Sequence, residues 1–150
     1  MSSVVLLDAG PLGLVTNPRR SAKNAACAKW LQSLLAARVR VIVPEIADYE
    51  VRREPLRAKK TKGIGKLDAL IGVLEYLPIT TPAMRRAALF WAQARQQGKP
   101  TAADKALDAD MILVAQAVTL GEPGVVIATT NVGHLSLFAP AELWHNIKSS

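Results

Sequence analysis

The sequence predicts a single α/β domain, with a mostly parallel central sheet flanked by helices in an α/β/α arrangement. Three observations predict it. Short runs rich in Val, Leu and Ile alternate with segments of helical periodicity along the whole chain. The runs are apolar at every position, as strands buried on both faces must be. No repeat, linker or low-complexity stretch interrupts the 150 residues, so residues 1–150 are expected to form one domain.

Val4–Leu7 is the first such run, and it ends at Asp8-Ala9-Gly10-Pro11, where Gly and Pro signal a turn. Ser21 suits the N-cap of a helix that turns Ala25, Ala28, Leu31, Leu34 and Leu35 inward. Residues 38–43 give a second buried strand, closed by Pro44, which is well placed to open the next helix. That helix carries Ile46, Tyr49, Glu50 and Arg53, and Pro55 is expected to kink or stop it. A further helix runs through Leu67, Leu70, Ile71 and Leu74, followed by a short strand over residues 77–80. Thr81-Pro82 signals the cap and first turn of a helix that reaches Gln97 and stops at Gly98. Residues 107–120 are apolar almost all round, which marks a buried helix. Residues 125–128 form another buried strand, ending at Thr129-Thr130-Asn131, and the tail over 143–147 supplies a final short strand.

Composition narrows the function classes. Half the residues are hydrophobic and 21% are charged, an ordinary globular balance. Lys and Arg total 19 against 12 for Asp and Glu, leaving a net charge of +7, which favours polyanionic partners such as nucleic acid. Cys27 is the one cysteine, so no intrachain disulfide or Cys-rich zinc site is possible, and a reducing cytoplasm fits. The N-terminal run lacks a basic flank and is too short for a signal peptide, and nothing reaches the roughly 20 apolar residues of a membrane span.

In sheets of this class, ligands bind beyond the carboxyl ends of the strands. Asp8 and Asn131 each follow a predicted strand, so the active site is expected there. Glu50 shares a helix with Ile46 and Tyr49, and Asp110 leads into Met111-Ile112-Leu113-Val114. A lone Asp at a strand end is most often a turn residue or helix cap. Three acids at element ends are different, because a buried carboxylate shifts its pKa or finds a cation. Oxygen donors alone suit hard ions such as Mg²⁺ or Mn²⁺, and such ions promote in-line attack on a phosphodiester.

Four segments come in the order and spacing of PIN domains: residues 4–12 around Asp8, 44–53 around Glu50, 109–115 around Asp110, and 128–135 around Asn131. The resemblance is to the VapC-type toxins of bacterial and archaeal toxin–antitoxin modules. It implies a small, usually dimeric nuclease that cuts single-stranded or structured RNA with Mg²⁺ or Mn²⁺ and is covered by a cognate antitoxin. Carried over position by position, it makes Asp8 the first acid, Glu50 the helix acid preceding a basic residue, and Asp110 the acid opening the buried helix. Asn131 falls at a fourth position, where family members carry Asp or Asn.

The third segment holds Asp104, Asp108 and Asp110. Asp108 and Asp110 lie about 200° apart on a helix, so they cannot share one ion unless the helix begins late. Asp110 is taken as the principal ligand, Asp108 as an auxiliary one, and Asp104 as a cap near Thr101.

Plainer readings compete elsewhere. Glu45 and Asp48 suit the first turn of their helix, where acids complement the dipole. The basic stretch over residues 52–66 is either a solvated face or a track for an RNA backbone. Trp30, Phe90 and Trp91 belong to core or dimer packing. His134 and His145 are too separated for a zinc site, and Cys27 is expected to be buried and inert. Other classes fit less well. An aspartyl phosphotransferase needs a second acid where Gly10 stands, and Asp8-Ala9-Gly10-Pro11-Leu12-Gly13 is not a dinucleotide fingerprint. The function expected is thus a metal-dependent endoribonuclease toxin. The alternatives are a housekeeping RNA-processing nuclease without an antitoxin, or a non-catalytic RNA-binding module on the same fold.

Overall fold

A computed structural model describes residues 4–97 and 104–149, with residues 104–106 as backbone alone. In chain order the described elements are β1 (Val4–Leu7), α1 (Ala9–Thr16), α2 (Ala22–Ala36), β2 (Arg40–Pro44), α3 (Glu45–Arg57), α4 (Thr61–Ile71), β3 (Glu75–Leu77), α5 (Thr81–Gln96), α6 (Asp104–Thr119), β4 (Val125–Thr129) and β5 (Ala141–Leu143). The strands form one sheet in the order β3-β2-β1-β4-β5, and every pairing is parallel.

The period-2 geometry of the strands explains the two cores. Val4, Leu6, Ile42 and Ile127 point to one face, where Ala87, Phe90, Met111 and Val114 of α5 and α6 cover them. Val5, Leu7, Val41, Val43 and Ala128 point to the other, against Leu12, Leu31, Leu34 and Leu67 of α1, α2 and α4. β1 is buried at all four positions, as an apolar run in the middle of a doubly covered sheet should be. No described helix is long and apolar enough to cross a membrane.

Ser21 caps α2 as expected, accepting the Asn24 N–H at 3.1 Å. Trp30 and Phe90 pack internally: the Trp30 indole N–H donates to the Ile147 carbonyl at 2.9 Å, and Phe90 lies 4.8 Å from Phe138. Cys27 is buried, which pushes its thiol up to about 12.

Several boundaries depart from expectation. Asp8-Ala9-Gly10-Pro11 is not a turn but the start of α1, because Pro in a first helical turn has no N–H bond to lose. Gly10 serves packing instead: a Cβ there would lie 2.5 Å from Thr130 Oγ1. β2 begins at Arg40 rather than at residue 38, since Arg38 sits in the left-handed region with φ 63° and closes the turn after α2. Pro55 does not stop α3, which continues to Arg57 and ends before the left-handed Lys59. α4 stops at Ile71, so Leu74 lies beyond it, and the following strand is Glu75–Leu77 rather than 77–80. Thr80, not Thr81, caps α5, accepting the Ala83 N–H at 3.1 Å. The final strand is Ala141–Leu143, and Trp144–Asn146 is a 3-10 turn. The helix stop at Gly98 and the cap at Thr101 lie outside the described residues.

Candidate active site

The chain leaves β1 toward β2 and β3 on one side and returns through β4 and β5 on the other. The sheet therefore has its switch point between the carboxyl ends of β1 and β4, where sheets of this class form their ligand crevice. Asp8 stands at the end of β1. Its Oδ1 accepts the Ala9 N–H at 2.7 Å, which makes it the N-cap of α1, and its Oδ2 accepts the Thr129 hydroxyl at 2.7 Å. Asp8 thus caps α1 and ties the end of β1 to the end of β4. Burial holds its pKa above the ordinary carboxylate value even though both hydrogen bonds favour the ionised form.

Glu50 reaches the crevice from the second turn of α3. Its carboxyl is pushed up to about 7, first by burial, then by the charge of Asp8, with Arg53 opposing and Asp110 adding. The Arg53 guanidinium stands 4.0 Å from Glu50 Oε2. Asp110 enters from α6, and its carboxyl is raised by burial and then by Asp8, with His134 opposing. The His134 Nε2 lies 2.8 Å from Asp110 Oδ2. That nitrogen is buried and has no aligned hydrogen-bond partner among the described residues, so the two groups meet in distance but not in hydrogen-bond direction.

Asp8, Glu50 and Asp110 therefore share one electrostatic field, and Asp8 disfavours ionisation of the other two. A proton or a cation relieves such a cluster, and three carboxylates are hard oxygen donors of the kind Mg²⁺ and Mn²⁺ take. Among the described residues no three acidic, His or Cys side chains stand close enough to enclose an ion. The donors fit such an ion by chemistry and by their common field rather than as a closed cage.

Asn131 lies just past β4 and is exposed; its backbone N–H donates to Thr129 Oγ1 at 3.1 Å. Asp108 does not join the acids. It is exposed and lines a cleft between α5 and α6 beside Met84, Trp91 and Ile112. The reason is helical periodicity, which sends Asp108 and Asp110 to nearly opposite sides of α6. The auxiliary metal role expected of Asp108 therefore finds no support in its placement. The side chain of Asp104 lies outside the described residues.

The supporting residues come from α6, β4 and the turn after it. Gln116 is buried, its Oε1 accepting the Ile46 N–H at 3.3 Å and its Nε2 donating to the Leu77 carbonyl at 2.9 Å. It holds the start of α3, whose N-cap Pro44 offers no side-chain acceptor, against the end of β3. Glu45 adds to this joint by accepting the Ile79 N–H at 2.7 Å. Asp48 accepts the Tyr76 hydroxyl at 2.8 Å and pairs with Arg52 at 3.0 Å. Both acids are structural. Thr129, His134 and Gln116 were not singled out as site residues in the sequence. Two hydroxyl residues directly after an apolar strand were the available signal for Thr129.

A groove of about 710 Å³ runs from Glu50 between α1, α3 and the start of α4, and Arg19, Arg53, Arg57 and Lys60 line it. The basic stretch divides here. Arg52 is held in ion pairs with Asp48 and Asp68 and does not line the groove, whereas Arg53, Arg57 and Lys60 do, Arg57 while paired with Glu54 and Arg53 while beside Glu50.

No protein-family model matches the chain, and no curated protein does. Solved structures do. A chain of VapBC2 from Rickettsia felis, bound to a DNA fragment from their promoter, superposes with a TM-score of 0.71 at 15% identity, covering 94% of this chain and 98% of that one. A chain of VapBC-1 from nontypeable Haemophilus influenzae gives 0.70 at 14% identity, over 95% and 99%. A chain of FitAcB from Neisseria gonorrhoeae gives 0.66 at 21%, also over 95% and 99%. At these identities the likeness is one of fold: a PIN-like α/β domain spanning nearly the whole chain.

Proposed function

We propose that the protein is a Mg²⁺- or Mn²⁺-dependent endoribonuclease, the toxin of a VapBC-type pair, acting as a homodimer and silenced by a cognate antitoxin. The observation that carries this reading is the meeting of Asp8, Glu50 and Asp110 in one field at the sheet's switch point. The VapBC and FitAcB complexes that share the fold support the antitoxin.

Asp8, Glu50 and Asp110 would hold the cation, with Asn131 adding hydrogen bonds but no charge. When bound, the cation supplies an acidified water and neutralises charge at the scissile phosphate. Burial of the acids strengthens their hold on a cation, because charges attract more strongly where water is scarce. Arg53 and Lys60 offer positive charge to the RNA backbone along the groove that starts at Glu50.

The products test this chemistry. Attack by water that breaks the P–O3′ bond leaves a 5′-phosphate and a 3′-hydroxyl, and a chelator stops it. Chelator-resistant cleavage leaving a 2′,3′-cyclic phosphate would mean attack by the RNA's own hydroxyl, and the reading would fall.

A further inference from the structure

One turn serves two acids. Thr129, at its start, donates to Asp8, and His134, near its end, reaches Asp110. We propose that His134 is a positioning residue, whose Nε2–H holds one oxygen of the Asp110 carboxylate and leaves the other as a metal ligand. The inference rests on the metal-nuclease reading above.

Three features carry it. The first is the 2.8 Å separation between His134 Nε2 and Asp110 Oδ2. Two bare lone pairs at that distance would repel, so a proton lies between them, and the nitrogen carries it whenever Asp110 is ionised to hold a cation. The second is burial. Nε2 is shielded from solvent and makes no aligned hydrogen bond among the described residues, which leaves Asp110 Oδ2, at 2.8 Å, as the acceptor within reach. Catalytic hydrogen bonds are often poorly aligned before substrate binds and tighten in the loaded complex.

The third feature is the way the chain holds the ring in place. Gly133 adopts φ +45°, a left-handed conformation open to glycine, and directs the chain back toward α6. Leu135 follows, buried in the core under α6, and its N–H donates to the Val132 carbonyl at 3.0 Å. His134 is thus fixed between a backbone kink and a core anchor.

Asp110 needs such a partner. Its side chain is 31% exposed, and an unrestrained carboxylate loses rotational freedom on binding an ion. Partners of metal-bound carboxylates typically account for about 10- to 100-fold in metal affinity or activity.

The test is Mn²⁺ and Mg²⁺ affinity by calorimetry for the wild type, His134→Ala and His134→Gln at one pH, with chelator-treated melting curves alongside. The account expects about a 10- to 100-fold weaker affinity for both ions in the Ala variant. Gln, whose amide N–H reaches the same place, should restore most of it. Wild-type affinity in a folded Ala variant would overturn the proposal. So would a Gln variant as weak as Ala for Mn²⁺ with Mg²⁺ unaffected, since the imidazole would then be a ligand itself. If Ala does not fold, the Gln variant decides: near-wild-type affinity supports the clamp, and a large loss overturns it. A wild type that binds neither ion would remove the metal reading and this inference together. Ion binding that weakens as expected without RNA cleavage would remove the nuclease reading alone.

Discussion

The Thr129 hydroxyl donates to Asp8 Oδ2 at 2.7 Å across the junction of β1 and β4, the two parallel strands between which the strand order reverses. This bond opposes the burial that raises the Asp8 pKa, so it keeps the carboxylate available to a cation. Thr129→Val preserves shape and removes the donor. The carboxylate should then ionise at higher pH, moving the acid limb of the cleavage pH profile upward. Loss of a hydrogen bond to a charged group is also expected to lower stability by about 1.5–3 kcal/mol. An unshifted acid limb in a folded variant would separate Thr129 from the chemistry.

Glu50 makes stability depend on pH in a definite direction. Its folded pKa of about 7 lies above the ordinary 4.5, so between these values the folded chain keeps a proton that the unfolded chain has released. Stability in the presence of a chelator should therefore fall as pH rises from about 4.5 to about 7, and level off above. Glu50→Gln should flatten that slope, and Mn²⁺ should restore wild-type stability at the upper end. Equal slopes in chelated melts of the two proteins would contradict the assignment.

Gly10 is held to glycine by Thr130. An added Cβ would meet Thr130 Oγ1 at 2.5 Å, Cγ2 at 2.6 Å and Cβ at 3.1 Å, so no rotation of the threonine clears it. Gly10→Ala should lower the melting temperature, by about 1–3 kcal/mol of overpacking, although alanine favours helix. Adding Thr130→Ala should recover most of the loss. A more stable single variant would show that this turn yields easily.

The alternation of strands and helices and the placement of Asp8 were legible because apolar β-branched runs and the residues after them are local signals. Asp110 was legible as an acid at the head of an apolar helical run, and the helical period that separates it from Asp108 already argued against their sharing an ion. α1 was not, since Gly10-Pro11 reads as a turn when the neighbour that demands the glycine, Thr130, lies far along the chain. Gln116 was hidden likewise, and His134, though inside the segment 128–135 that carries the resemblance, gave no sign of its contact with Asp110. Gln116 joins α3 to β3, His134 meets α6 from the turn after β4, and neither pairing leaves a pattern within its own segment.

The central claim is that Asp8, Glu50 and Asp110 make a metal-dependent nuclease. It is tested most directly by incubating mixed single-stranded RNA with the purified chain, with and without Mn²⁺, beside a folded Asp110→Asn variant. The account predicts cleavage by the wild type in Mn²⁺ alone, and none by the variant. No cleavage by a folded, Mn²⁺-supplied wild type free of any antitoxin, or equal cleavage by the variant, would contradict it.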